Sequence, residues 1–174
     1  SGHMKRRTFD TLISITGLVL AAILLAAGGL LSWGASFAQN TVHDQLVAQK
    51  INFTGADSFK DDCLKPLASW ADKPVDSANA AKAYSDVIAC HMESAFVGMG
   101  LKADETYATL GRVRGMDQAS KEAQTLNAAR TLAFQGETLR SILLTAYAFG
   151  TIGAVAAVAS TVAYIVGALM LLLA

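Results

Sequence analysis

SILLTAYAFGTIGAVAAVASTVAYIVGALMLLLA, residues 141–174, runs for 34 residues without one Asp, Glu, Lys, Arg or His. An α-helix of that length reaches roughly 50 Å, against a hydrocarbon core of about 30 Å. The stretch therefore reads as a membrane-spanning helix whose first turns stand outside the bilayer. A second such stretch, TLISITGLVLAAILLAAGGLLSWGASFA, occupies residues 11–38 and is equally free of charge. Two uncharged spans separated by about a hundred ordinary residues predict an all-α integral membrane protein with two antiparallel transmembrane helices and a small helical extracytoplasmic domain.

Composition agrees with this frame. Of 174 residues, 53% are hydrophobic and only 16% charged, and mean hydropathy is +0.39. Soluble domains carry about a quarter of their residues as charges. Fourteen Lys and Arg balance fourteen Asp and Glu, so there is no basic excess to hold a nucleic-acid backbone. The composition speaks against a soluble globular enzyme, a disordered tail and a nucleic-acid binder.

Working outward, residues 1–4 (SGHM) read as a tag remnant and residues 5–10 as a short cytoplasmic segment. Lys5, Arg6 and Arg7 before the first span orient it by the positive-inside rule, so both termini are expected in the cytoplasm of a cell with the spans in its plasma membrane. The same basic start, apolar run and Ser36-Phe37-Ala38 also have the layout of a cleavable secretory signal. A signal core is about 7–15 residues, and this run is longer, which favours an uncleaved helix. Trp33 and Phe37 near the end of the first span, with Tyr147 and Phe149 near the start of the second, suggest an aromatic belt at one interface, or plain packing aromatics. Glu137 and Arg140 are the last charges before the second span and mark its expected entry into the bilayer, where Arg140 can snorkel toward phosphates or a carboxylate.

Residues 39–140 hold 13 acidic and 11 basic side chains, a net of −2 that suits a solvated surface. Residues 41–50 can continue the first membrane helix. Residues 52–75 contain both prolines and read as irregular. Ser77 is the expected N-cap of a helix to about Val97, with Ala80, Tyr84, Val87, Ile88, His91 and Ala95 on one face and Gly98 and Gly100 closing it. A short helix over residues 104–113, a break at Gly115 and a last helix capped by Asp117 follow. Leu126, Ala129, Leu132 and Ala133 give that helix its apolar face, and Gly136 weakens it by about 1 kcal/mol relative to Ala.

Cys63 and Cys90 are the only cysteines, and their spacing matches neither a CxxC redox pair nor a zinc site. On the oxidising side of a membrane they are expected to form a disulfide worth roughly 3–4 kcal/mol. His43 and His91 lack any metal-ligand spacing, and residues 57–62 lack the glycine of a calcium loop, so no metal and no cofactor is expected. Asn52-Phe53-Thr54 matches a glycosylation triplet, a pattern frequent by chance. No nucleophile or acid–base constellation is present, and no catalytic residue is assigned.

Small residues organise the spans. Gly17, Ala21, Gly28, Ser32 and Ala35 share a face of the first, and Ala146, Gly150, Gly153, Ala157, Ser160, Tyr164 and Gly167 alternate at steps of four and three in the second. Such rows let helix backbones approach closely, within one chain and between copies, so a homo-oligomer is expected. Without ionisable groups inside the spans, proton relays, voltage sensors and most coupled transporters are disfavoured.

Gly136, Glu137, Thr138, Leu139 and Arg140, with Leu143, Leu144 and the following Ala146, Tyr147, Ala148 and Phe149, resemble a set of small two-span actinobacterial membrane proteins, as do the basic start and the Ala/Gly-rich first span. The resemblance covers most of the chain and implies no biochemical activity and no site residues. Some similar sequences carry dioxygenase labels, which the absence of a two-His, one-carboxylate motif does not support. The function expected is a non-catalytic, self-associating membrane protein that presents its extracytoplasmic domain to envelope partners. The alternative from the same topology is a homo-oligomeric channel lined by Ser32, Ser36, Thr145, Thr151, Ser160 and Thr161.

Overall fold

A computed structural model describes residues 5–174, so the expected tag remnant 1–4 lies outside the described residues. The chain is all-α, 78% helical. Among the described residues the only β pairing is an isolated antiparallel bridge between Asn52 and Pro74. Three long helices follow in order: α1, Arg6–Ala48; α2, Ala78–Gly98; and α3, Lys121–Leu173. Both α1 and α3 contain windows long and apolar enough to cross a membrane, with mean hydropathy 2.3 and 2.2. Contacts divide the described residues into two units, residues 5–41 with 150–174, and residues 42–149.

In the first unit, segments of α1 and α3 run antiparallel. Gln39 Nε2 donates to the Gly150 carbonyl at 2.9 Å, Gly153 sits against Ala38, Ser160 Oγ donates to the Gly28 carbonyl at 2.8 Å, and Gly167 faces Leu25. Rising numbers on one helix meet falling numbers on the other.

The second unit has two buried clusters. One joins Val42 and Leu46 of α1 to Phe53, Phe59, Leu64 and Val75 of the irregular segment, to Ala80, Ala81 and Val87 of α2, and to Leu143 of α3. The other gathers Met92 and Phe96 of α2 with Leu110 and Val113 of a 3₁₀ turn, Thr109–Gly115, and with Ala123, Leu126, Ala129 and Ala133 of α3. Because α2 serves both clusters, its buried surface is wider than one helical face. Ser85, Met92 and Phe96 join Ala80 and Val87 in burial, while His91 is exposed.

Local chemistry accounts for the ends. Ser77 caps α2, its hydroxyl accepting from Ala80 N at 3.2 Å. Gly100 supplies the left-handed residue, φ +79°, that lets Leu101 N return to the Phe96 carbonyl at 2.9 Å and Gly100 N to that of Val97 at 3.0 Å. Two expectations are corrected. The short α-helix over 104–113 is a 3₁₀ turn over 109–115, which ends at the expected break, Gly115; Thr106 and Thr109 hold its start by exchanging side-chain bonds to backbone nitrogens at 3.1 and 2.8 Å. The cap of α3 is Ser120, which accepts from Ala123 N at 3.2 Å, since Asp117 is spent on a turn through Ala119 N at 3.1 Å.

Candidate functional site

Cys63 and Cys90 are joined in a disulfide with Cα atoms 5.8 Å apart, and no free cysteine is present among the described residues. Cys90 is buried on α2, whereas Cys63 lies in the exposed turn before Leu64. The bond ties the irregular segment to the helix it packs against. Within that segment Phe53 stacks on Trp70 at 5.5 Å and meets Tyr84 edge-on at 5.4 Å.

The small-residue row of α3 is used inside the chain. Gly153 is where a Cβ would come within 2.8 Å of the Ala38 Cβ, and Gly167 is closed off by Leu25 at 3.0 Å and the Ala21 carbonyl at 3.3 Å. Gly28 receives the ring of Tyr164, 3.0 Å from its would-be Cβ. Ala21, Gly28, Ala35, Gly150, Gly153, Ser160 and Gly167 are buried; Gly17, Ser32 and Ala146 are half-buried. Ala157 is the exception, for it is exposed, and Ala156 and Ala163 occupy the inner face instead. The seam steps 153, 156, 160, 163, 167, which turns Ala157 outward, and Tyr164 reaches Gly28 from the flank. Ser160, expected among the wettable groups of a pore, spends its hydroxyl on the Gly28 carbonyl.

Outward, the same helices show apolar side chains: Leu30 is 72% exposed and Ile152 65%. Trp33 and Phe37 are both exposed and stack on each other at 5.7 Å. Tyr147 is half-buried on α3 and Phe149 is exposed.

Glu137 and Arg140 are engaged in the 42–149 unit, which is more than a boundary role requires. Glu137 Oε2 accepts from Tyr107 N at 3.0 Å, docking the loop before the 3₁₀ turn onto α3. Arg140 Nε donates to the Ser85 carbonyl of α2 at 3.0 Å rather than extending freely. Sequence reasoning missed the cluster above them. The Arg130 guanidinium covers the Tyr107 ring at 4.3 Å and donates from Nη2 to its hydroxyl at 2.9 Å. Phe134, one turn along, meets the same ring at 5.8 Å and is 58% exposed. The spacing of Arg130, Phe134 and Glu137 on one side of α3 was legible; the return of Tyr107 to that side was not.

Beside this cluster Arg112 forks onto Glu105 at 2.9 and 2.7 Å, with Thr109 donating to the same carboxylate at 3.0 Å. The Arg112 hydrogen bond holds the Glu105 carboxyl down at about 2, and the Arg112 group is raised in turn by Glu105. A shallow hollow of about 460 Å³ runs from Tyr107 and Phe134 past Glu137 and Thr138 to Ile142. Its walls offer aromatic and aliphatic contact, the hydroxyls of Tyr107, Thr138 and Ser141, and the Glu137 carboxylate. Among the described residues no three His, Cys, Asp or Glu side chains stand together as a metal set. His43 Nδ1 lies 2.9 Å from the Asp76 carbonyl, and His91 is exposed. Comparison with protein-family models, with curated proteins and with solved structures finds no match for this chain.

Proposed function

We propose that this chain is a non-catalytic, self-associating protein of the plasma membrane, in which α1 and α3 cross the bilayer antiparallel, both termini are cytoplasmic, and the helical unit between them is presented outside for contact with envelope partners. The observation that carries the reading is the inverted burial of the apolar helices. Only 11% of the most apolar window of α1 and 17% of that of α3 is buried, and what is buried is glycine, alanine and serine. Leucines, isoleucines and valines point away from the protein, an arrangement that costs free energy in water and none in lipid. In hydrocarbon, helices join by close backbone approach and hydroxyl bonds, which is what Gly153, Gly167 and Ser160 supply.

The disulfide supports placing residues 42–149 on the oxidising side. The Gln39–Gly150 contact and the stacked Trp33–Phe37 pair argue that the crossing part of α3 begins near Gly150, about nine residues into the uncharged stretch. Membership in the small two-span actinobacterial group is part of the same proposal and rests on the residues of the 136–149 stretch. Single cysteines at positions 137, 140, 150 and 157 test the reading in intact cells. An impermeant maleimide is expected to label 137 and 140 and to spare 157; equal labelling at all four refutes the membrane topology.

A further inference from the structure

We propose that the start of α1 holds the headgroup phosphate of an anionic phospholipid on Arg6 and Arg7. The inference rests on the membrane reading above and adds a ligand and the residues that take it. Arg6 and Arg7 line a shallow hollow of about 610 Å³ with Asp10, Thr11, Ser14 and Ile15. Every residue from Lys5 to Ile13 is exposed, so no part of the described chain covers this stretch.

The cations there are unspent. Ion pairs among the described residues join Lys65 to Asp62, Lys82 to Asp86 and Arg112 to Glu105, and neither Arg6 nor Arg7 takes part in one. Asp10 is the one carboxylate in the hollow, a helical turn from both arginines, and Lys5, Arg6 and Arg7 together outweigh it. An anion seated between the arginines therefore meets net positive charge. The Thr11 hydroxyl is turned back, donating to the Arg7 carbonyl at 2.8 Å, which leaves the phosphate to the two guanidinium forks.

Depth makes that anion a lipid's. Arg7 and Trp33 lie on one unbroken helix, and the rise between them is about 39 Å. A bilayer measures about 40–45 Å with its headgroup layers included. With the exposed Trp33 at one interface, Arg6 and Arg7 come level with the headgroups of the opposite leaflet. Side chains on a helix tilt toward its N-terminus, which carries both guanidinium groups toward the phosphates and away from hydrocarbon. Phe9, Leu12, Ile13 and Ile15 are exposed on the same stretch and lie against acyl chains in this arrangement. A free phosphate ion would cover none of that apolar surface.

The full chain is placed in nanodiscs of equal parts phosphatidylcholine and phosphatidylglycerol, and the lipids it retains on release are counted by native mass spectrometry. Phosphatidylglycerol is expected to be retained over phosphatidylcholine by at least about tenfold, and the preference to fall about fivefold with each of Arg6→Gln and Arg7→Gln. Asp10→Asn is expected to raise it, and Arg114→Gln, an exposed cation of the 42–149 unit, to leave it unchanged. Millimolar inorganic phosphate at constant ionic strength should not displace the lipid. Equal retention of the two lipids, a preference unmoved by both arginine substitutions, or its loss to inorganic phosphate overturns the proposal. Alkaline carbonate extraction keeps the two failures apart: a chain released from vesicles removes the membrane reading, whereas a chain that stays in the vesicles with no lipid preference removes this site alone.

Discussion

Opening the Cys63–Cys90 bond should destabilise the 42–149 unit by about 3.5 kcal/mol. The two cysteines are 27 residues apart, and the chain-entropy relation for a loop of that size gives about 12 cal/mol/K, or about 3.5 kcal/mol at 25 °C. That is a few hundredfold in the folding equilibrium. Reduction isolates the effect better than substitution does, because Cys90 is buried among Phe53, Val75 and Ala81 and a thiol there remains a small apolar group, whereas serine would add a hydroxyl to the cluster. The measurement is urea unfolding of the full chain in nanodiscs, with and without reductant. Trp70, half-buried and stacked on Phe53, reports on this unit alone once Trp33 is replaced by phenylalanine. Reduction should lower the midpoint and, because the uncrosslinked denatured state is less compact, leave the slope no smaller than that of the oxidised chain. Oxidised and reduced stabilities agreeing within about 0.5 kcal/mol would refute the reasoning, since the irregular segment would then be held by its aromatic contacts without the cross-link.

Gly153→Leu should force α1 from α3, since even a Cβ there comes within 2.8 Å of Ala38; a lowered thermal midpoint is expected, with Val155→Leu, on the exposed face, nearly silent. At Gly136, Val should cost about 1–3 kcal/mol by overpacking against Met92, whose Cγ lies 2.9 Å from the would-be Cβ, and the added cost should shrink in a Met92→Ala background; additive losses in urea unfolding would contradict that contact. The Glu105 carboxyl is held near 2 by Arg112, below its ordinary 4.5, so its contribution is present above about pH 4.5 and is lost as pH falls toward 2. The stability difference between wild type and Glu105→Gln should therefore be flat from pH 7 to 5 and shrink below it, and a difference that stays constant down to pH 3 would count against the ion pair.

How much of this was legible in the sequence follows from the range of the forces involved. Whether a stretch is helical and apolar depends on neighbours within a few turns, so the two charge-free runs, the Ser77 cap and the continuation of the first span to Ala48 could be read directly. The cysteine pairing was legible for another local reason, that only two cysteines exist. Faces and partners were harder. Steps of three and four fit both 153–157–160 and 153–156–160, and only the approach of α1 decided that Ala156 turns inward and Ala157 outward. Gly136 reads in the sequence as a weak point in a helix; packed, it is the place where Met92 of α2 crosses α3, a contact spanning 44 positions that helix propensity does not register. Likewise, Glu137 and Arg140 are the last charges before the span in any reading, but their ties to Tyr107 and Ser85 exist only because the loop and α2 fold back onto α3. Composition and period settle what each segment is; which side of it meets which other segment is settled by tertiary packing, because long-range contacts select one among several faces that local energetics leave nearly equal.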